Sequence, residues 1–201
     1  MELQTGRAAV FLDRDGTINE EMGYINHLSR FVLLPLVAAA IRRLNQADVK
    51  VVVITNQSGA ARGYFSPALV DEVHRRLEEM LAQEGARVDA IYTCLHGPGD
   101  GCPCRKPKPA LILQAARDLH LDLGRSFLVG DRYNDIQTAA NAGVKGVLVL
   151  TGYGRGEFEH LGAGAEAQPI YVAADLLEAA NWILADLQSS AESGSTLRIH
   201  A

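Results

Sequence analysis

The stretch FLDRDGTIN, residues 11–19, closes a short apolar run with two carboxylates, a glycine and a threonine. Read alone it is an Asp/Gly turn, a common way to reverse a chain. Its surroundings change that reading. Runs rich in Val and Ile recur at AAVFL (8–12), KVVVIT (50–55), VDAIYT (88–93), SFLVG (126–130), GVLVL (146–150) and, more weakly, PIYVA (169–173). Helical patterns separate them. Ser66 and Pro67 make an N-cap and first-turn pair, and Leu69, Val73, Leu77, Met80 and Leu81 share a face until Gly85. Leu111, Ile112, Ala115 and Leu119 repeat the spacing, as do Leu176, Leu177, Ala180, Ile183, Leu184 and Leu187, where Trp182 is read as packing. Strands alternating with helices predict an α/β fold, a Rossmann-like three-layer sandwich around a mostly parallel sheet. In such a sheet chemistry sits outside the carboxyl ends of the strands, where Asp13 and Asp15 fall.

Composition narrows the function. With 201 residues, 48% of them apolar, the chain can bury one sizeable core, so residues 1–187 are expected to form a single domain. The polar stretch QSSAESGSTLRIHA, 188–201, is expected to be a disordered tail and the glycine-rich 152–168 a mobile loop, a reading preferred for TGYGRG, 151–156, over a phosphate contact. The net charge is -5 and the basic residues are scattered, which argues against nucleic acid as a partner. MELQTGR lacks the pattern of a signal peptide, and no apolar run nears the ~18 residues that span a bilayer. A cytoplasmic monomer with no membrane partner is expected.

Two more strand ends point into the same crevice. ITNQSG places Thr55, Asn56 and Ser58 at one, and LVGDRYND places Asp131 and Asp135 at the other. Carboxylates, hydroxyls and a lysine without an apolar box suit a phosphate meeting a hard cation. Mg²⁺ needs only one or two carboxylates plus substrate oxygens, and Asp13 and Asp131 meet that need. If Asp13 attacks phosphorus, the metal and a lysine offset the repulsion between anions, and Asp15 can move the protons.

All three cysteines fall in TCLHGPGDGCPCRKPKPA, residues 93–110. A disulfide would leave one over, and a Cys102–Cys104 bridge would be strained. A cysteine nucleophile would need a base and an oxyanion site that no residue supplies. Cys94, His96, Cys102 and Cys104 instead form a Cys3His set, read as a closed structural Zn²⁺ site. Arg105 and Lys106 leave it directly, so fixing the ion fixes the backbone that carries both cations. The other histidines, His27, His74, His120, His160 and His200, are read as surface or cap residues.

The four motifs in order, DRDGT, TNQSG, a lysine and GDRYND, resemble the haloacid dehalogenase superfamily of aspartate-nucleophile phosphatases over about residues 8–150. The resemblance implies Asp13 as nucleophile, Asp15 as acid and base, Thr55 as donor to the phosphoryl group and Lys106 as its counter-charge. It implies Mg²⁺ held by Asp13, the Asp15 carbonyl and Asp131, with Asp135 behind them. Roughly 35 residues between the first two motifs leave no room for a cap domain beside a crossover helix, so a capless pocket is expected. GYI, TNQSGAARGYF, CxH…CxCRKPKP and GDRYNDIQTAANAG are similar to the D-glycero-D-manno-heptose 1,7-bisphosphate phosphatases, which supply heptose precursors for lipopolysaccharide or related glycans. That likeness implies a small phosphorylated sugar as substrate, with Glu21, Met22, Gly23, Tyr24, Asn56, Gln57, Ser58 and Arg105 as binding residues beside Thr55. The chain carries Glu21-Met22 where Asp-His is common, and its short zinc loop resembles that of the related histidinol-phosphate phosphatases, the alternative activity. A non-catalytic zinc module would lack the nucleophile or the lysine; Asp13, Asp15, Lys106 and Asp131 are all present.

Overall fold

A computed structural model describes residues 6–196, with side chains through residue 190. Six strands, β1 (Ala9–Leu12), β2 (Lys50–Asn56), β3 (Ala90–Cys94), β4 (Phe127–Gly130), β5 (Lys145–Val149) and β6 (Tyr171–Ala173), form one sheet in the order β3-β2-β1-β4-β5-β6. Every pairing is parallel. The period of two along each strand builds the layers. Val10 and Leu12 face one side with Val51, Val53 and Val129; Ala9 and Phe11 face the other with Val52, Ile54 and Leu128. The first face is covered by α1 (Val37–Gln46), α2 (Pro67–Gln83) and α6 (Leu176–Thr196), the second by α3 (Ala110–Asp118) and α4 (Tyr133–Ala142). Both faces are therefore dry, as parallel sheets require.

The helix signals act locally as expected. Ser66 caps α2 by accepting from the Leu69 N–H, and Gly85 takes the left-handed φ of +69° just past its end. Trp182 stacks on Tyr171, ring centroids 4.7 Å apart, and meets Phe127 edge-on. Between Asp13 and α1 the described chain holds a 3-10 turn at Leu28–Arg30 and short bridges, with no inserted cap.

Two expectations are corrected. Residues 152–168 contain a helix, α5 (Gly154–Leu161), followed by a 3-10 turn at Gly162–Gly164. Glu157 anchors it, accepting from Arg132 Nε at 2.7 Å and from the Tyr133 N–H at 2.6 Å. Residues 188–196 continue α6 instead of forming a tail; 197–201 lie outside the described residues.

Candidate active site

The carboxyl ends of β1, β2 and β4 open into a crevice of about 570 Å³ lined mainly by polar groups, among them Asp13, Asp15, Thr55 and Lys106. Asp13 leaves β1 still tied to the sheet, its N–H bonded to the Val129 carbonyl. Its Oδ1 accepts from the Arg14 N–H at 2.7 Å and pairs with Lys106 Nζ at 2.7 Å. Oδ2 accepts no hydrogen bond among the described residues, so one oxygen of an otherwise fixed carboxylate faces the crevice. Gly16, at φ +82°, makes the turn; a Cβ there would collide with the Asp131 carboxylate.

Lys106 is buried and held from three sides. Its ammonium bridges Asp13 and Asp135, the latter at 2.6 Å, while Asn56 clamps its backbone by accepting from the N–H and donating to the carbonyl. Burial disfavours the ammonium, but the two carboxylates outweigh it and raise the Lys106 pKa. Asp135 is fully used: Oδ2 also caps α4 by accepting from the Arg132 N–H. Thr55 Oγ1 accepts from Gln57 Nε2 at 2.9 Å, which leaves its own proton free to donate into the crevice.

Asp13, Asp131 and Asp135 bring carboxylate oxygens within 4.8 Å of one another. When all three carboxylates are ionised, Lys106 offsets one charge and leaves an excess of two that a divalent cation matches. Burial first, then mutual repulsion, pushes Asp13 up to about 7 and Asp131 up to about 8. Asp131 Oδ1 is buried without a partner, while Oδ2 accepts from the Tyr153 N–H at 2.8 Å. A buried carboxylate oxygen with no donor is costly unless a cation completes it. This oxygen-only set fits Mg²⁺.

Cys94, His96, Cys102 and Cys104 converge at the end of β3, with S···S separations of 3.1, 3.5 and 3.6 Å and His96 Nδ1 3.2 and 3.7 Å from Cys104 and Cys94. Tetrahedral ligands about 2.3 Å from zinc lie roughly 3.7 Å apart, so the four atoms have the compactness of a structural zinc set. The three thiols are unbridged. Arg105 Nη1 donates to the His96 carbonyl and Lys108 Nζ to the Gly101 and Cys102 carbonyls, tying the following segment to the loop.

Most of the expected sugar-site residues line the crevice: Glu21, Gly23, Tyr24, Asn56, Ser58 and Arg105. Met22 and Gln57 do not. The Met22 carbonyl instead accepts from Arg30, and the Gln57 amide is spent on Thr55 and on Asp15 Oδ2 at 2.7 Å. TGYGRG is packed against the site, with Thr151 Oγ1 donating to the Gly16 carbonyl and Tyr153 on the crevice wall. His74, expected at the surface, sits half-buried 3.3 Å from Arg14 Nη1; burial and that cation push its pKa down to about 4. Arg14 itself escaped notice. Buried to 1% exposure, it forks onto Asp15 with Nε and Nη2, the shortest bond 2.8 Å. Burial acts to raise the Asp15 pKa, but Arg14, Asn19 and Gln57 together hold it below the usual carboxylate range. The only signal in the sequence was its place between the two aspartates. Arg62, Arg132 and Asn134 are further wall residues that motif reading passed over.

An all-parallel sheet of this order, with carboxylates after β1 and β4 and a lysine between them, defines the capless haloacid dehalogenase-like hydrolases. A family model described as "HAD-hyrolase-like" matches residues 103–179. The chain is 44% identical over 196 residues to the D-glycero-D-manno-heptose-1,7-bisphosphate 7-phosphatase of Thermosynechococcus vestitus, covering 90% of this chain and 97% of the relative. It is 42% identical to the corresponding enzyme of Bordetella bronchiseptica, covering 87% and 97%. The crystal structure of the B. bronchiseptica phosphatase, complexed with magnesium and phosphate, superposes with a TM-score of 0.81 at 41% identity, covering 89% of this chain and 99% of that one. The chain belongs to the D-glycero-D-manno-heptose-1,7-bisphosphate 7-phosphatase family.

Proposed function

We propose that the enzyme hydrolyses the 7-phosphate of D-glycero-D-manno-heptose 1,7-bisphosphate, leaving the 1-phosphate in place, and so supplies a heptose precursor for lipopolysaccharide or a related glycan. The observation that carries this reading is the wall of the crevice: Arg62, Arg105 and Arg132 surround the same space as Asp13 and Lys106. A second phosphate needs such cations, and histidinol phosphate has none to offer them.

Asp13 Oδ2 attacks phosphorus, forming the O–P bond of an aspartyl phosphate as the bond to the sugar oxygen breaks. Lys106 and the Thr55 hydroxyl stabilise the charge on the phosphoryl oxygens. Asp15 is ionised in the free enzyme, so the proton for the leaving oxygen arrives with the substrate: a phosphate monoester, whose second pKa is about 6, carries one for part of the time near neutrality. Asp15 passes it to the sugar oxygen, then takes one from the water that attacks the aspartyl phosphate. Magnesium, when bound, offsets the repulsion between carboxylate and phosphate; Asp13, Asp131 and the Asp15 carbonyl would hold it. Cys94, His96, Cys102 and Cys104 would hold zinc, which when bound would orient Arg105 and Lys106 and stay out of the chemistry. We read the enzyme as a monomer, and among the described residues no helix is long and apolar enough to cross a membrane. We read the enzyme as cytoplasmic.

The test is kcat/KM for both anomers of the bisphosphate and for histidinol phosphate, with NMR locating the phosphate that remains. One lost charge-assisted phosphate contact costs on the order of 2 kcal/mol, so the substrates should separate by about thirtyfold or more. Histidinol phosphate matching or beating both anomers would overturn the assignment, and early loss of the 1-phosphate would reverse the binding direction.

A further inference from the structure

Arg14 joins the two aspartates of the first motif. Its backbone N–H donates to Asp13 Oδ1, and its side chain holds Asp15 through Nε to Oδ1 at 3.3 Å and Nη2 to Oδ1 and Oδ2 at 2.9 and 2.8 Å. Asn19 Nδ2 adds a bond to Oδ1 at 2.9 Å and Gln57 Nε2 one to Oδ2. Both oxygens of Asp15 are thus held by donors, while the residue keeps its place on the crevice wall. Behind the guanidinium, His74 Nε2 on α2 meets Nη1 at 3.3 Å. With the ring neutral that nitrogen accepts, and Arg14 is braced between the scaffold helix and the reacting end of the site.

Burying a guanidinium costs several kcal/mol that a turn of this kind does not require, since Gly16 already makes the reversal. What only an arginine adds is a planar fork that fixes both the position and the tilt of a carboxylate. We infer that Arg14 is a positioning residue for proton transfer: with His74 as its rear brace, it locks Asp15 in one orientation beside Asp13. The inference rests on the proposed role of Asp15 as acid and base. A proton donor acts only within hydrogen-bond reach of the leaving oxygen, so a loosened Asp15 loses its function although the residue is still present.

The test compares two leaving groups. The sugar oxygen of heptose 1,7-bisphosphate must be protonated as it departs; the phenolate of p-nitrophenyl phosphate need not be. Their kcat/KM values report the steps up to the aspartyl phosphate in Arg14→Lys, Arg14→Gln and Asp15→Asn. For both Arg14 variants kcat/KM on the bisphosphate should fall by about 100-fold or more, while that on p-nitrophenyl phosphate falls by about threefold or less. Arg14→Lys should not rescue, because one ammonium keeps the charge without the fork. Equal losses on both substrates, or full activity in Arg14→Lys, would overturn the inference. If Asp15→Asn splits the substrates and the Arg14 variants do not, the inference fails and the role of Asp15 stands; if Asp15→Asn shows no split, that role falls and the inference with it. Should the Arg14 variants not fold, His74→Ala removes the brace alone. The ratio between the two substrates should then shift by roughly fivefold in the same sense, and an unchanged ratio overturns the proposal.

Discussion

Replacing Gly152 with alanine should damage both stability and magnesium binding, for reasons that can be separated. Gly152 lies at φ +53°, where a Cβ costs about 1 kcal/mol. That atom would also sit 2.6 Å from the Gly16 Cα and collide with Asp131 Oδ2. Backbone on one side and a buried carboxylate on the other leave no flexible end to give way, so the segment must lift. Lifting breaks the bond from the Tyr153 N–H to Asp131, a charge-assisted contact worth about 1.5–3 kcal/mol. With the steric term the loss is roughly 3–5 kcal/mol, on the order of 10 °C in Tm for a chain of this size. Gly85→Ala is the control: it shares the left-handed conformation, φ +69°, but its Cβ would meet only the Arg42 side chain at an ordinary 3.7 Å. Thermal unfolding and the Mg²⁺ concentration for half-maximal activity should be measured in both. Gly85→Ala should lose about 1 kcal/mol with unchanged magnesium dependence, and Gly152→Ala should need about tenfold more Mg²⁺ or worse, since Asp131 is released. If the two variants match in Tm and in magnesium dependence, the packing of this segment against Asp131 has been misjudged.

Asp13→Asn should lower kcat by several orders of magnitude with little change in Tm, and a phosphoryl group trapped on any other residue would contradict the assignment. Cys102→Ser should lose zinc by metal analysis and lose activity that added Mg²⁺ does not restore, whereas zinc-free protein with full activity would exclude the structural role. Asp13 and Asp131, raised to about 7 and about 8, become progressively protonated as the pH falls through those values, so protons compete with the cation and Mg²⁺ affinity should rise with pH. Calorimetry should give at least about tenfold weaker binding at pH 6 than at pH 8.5; equal affinities would show that the carboxylates are already ionised at the lower pH.

Strand ends were legible because parallel sheets impose two readable features at once: continuous Val/Ile runs and polar residues immediately after them. Asp13, Thr55 and Asp131 each follow this rule. Gln57 shows its limit. Its motif was visible, but the direction of its amide depends on where Asp15 and Thr55 meet, a contact spanning 42 residues in the first case. Arg14 carried no spacing signal, and a charged residue next to two acids reads as solvated until burial is known. Helix α5 was hidden by glycine, a poor helix former. Its support is tertiary: Glu157 reaches back to the start of α4, and Gly154 is required because a Cβ there would strike the Val149 carbonyl.

The position of the metal knuckle at the end of β3 has a consequence for how such a protein can diverge. β3 is an outermost strand, bonded to β2 alone, and Gly97, Gly99 and Gly101 bring the two ligand pairs together across a span whose backbone enters no strand. Residues could be added or removed between His96 and Cys102 without shifting the register of any strand. The ion would still return the chain to the same departure point for Arg105 and Lys106, and only the outer contour of the rim would change. With an ion bound, the knuckle would act as a joint, letting the rim vary in outline while the reacting groups stay where they are.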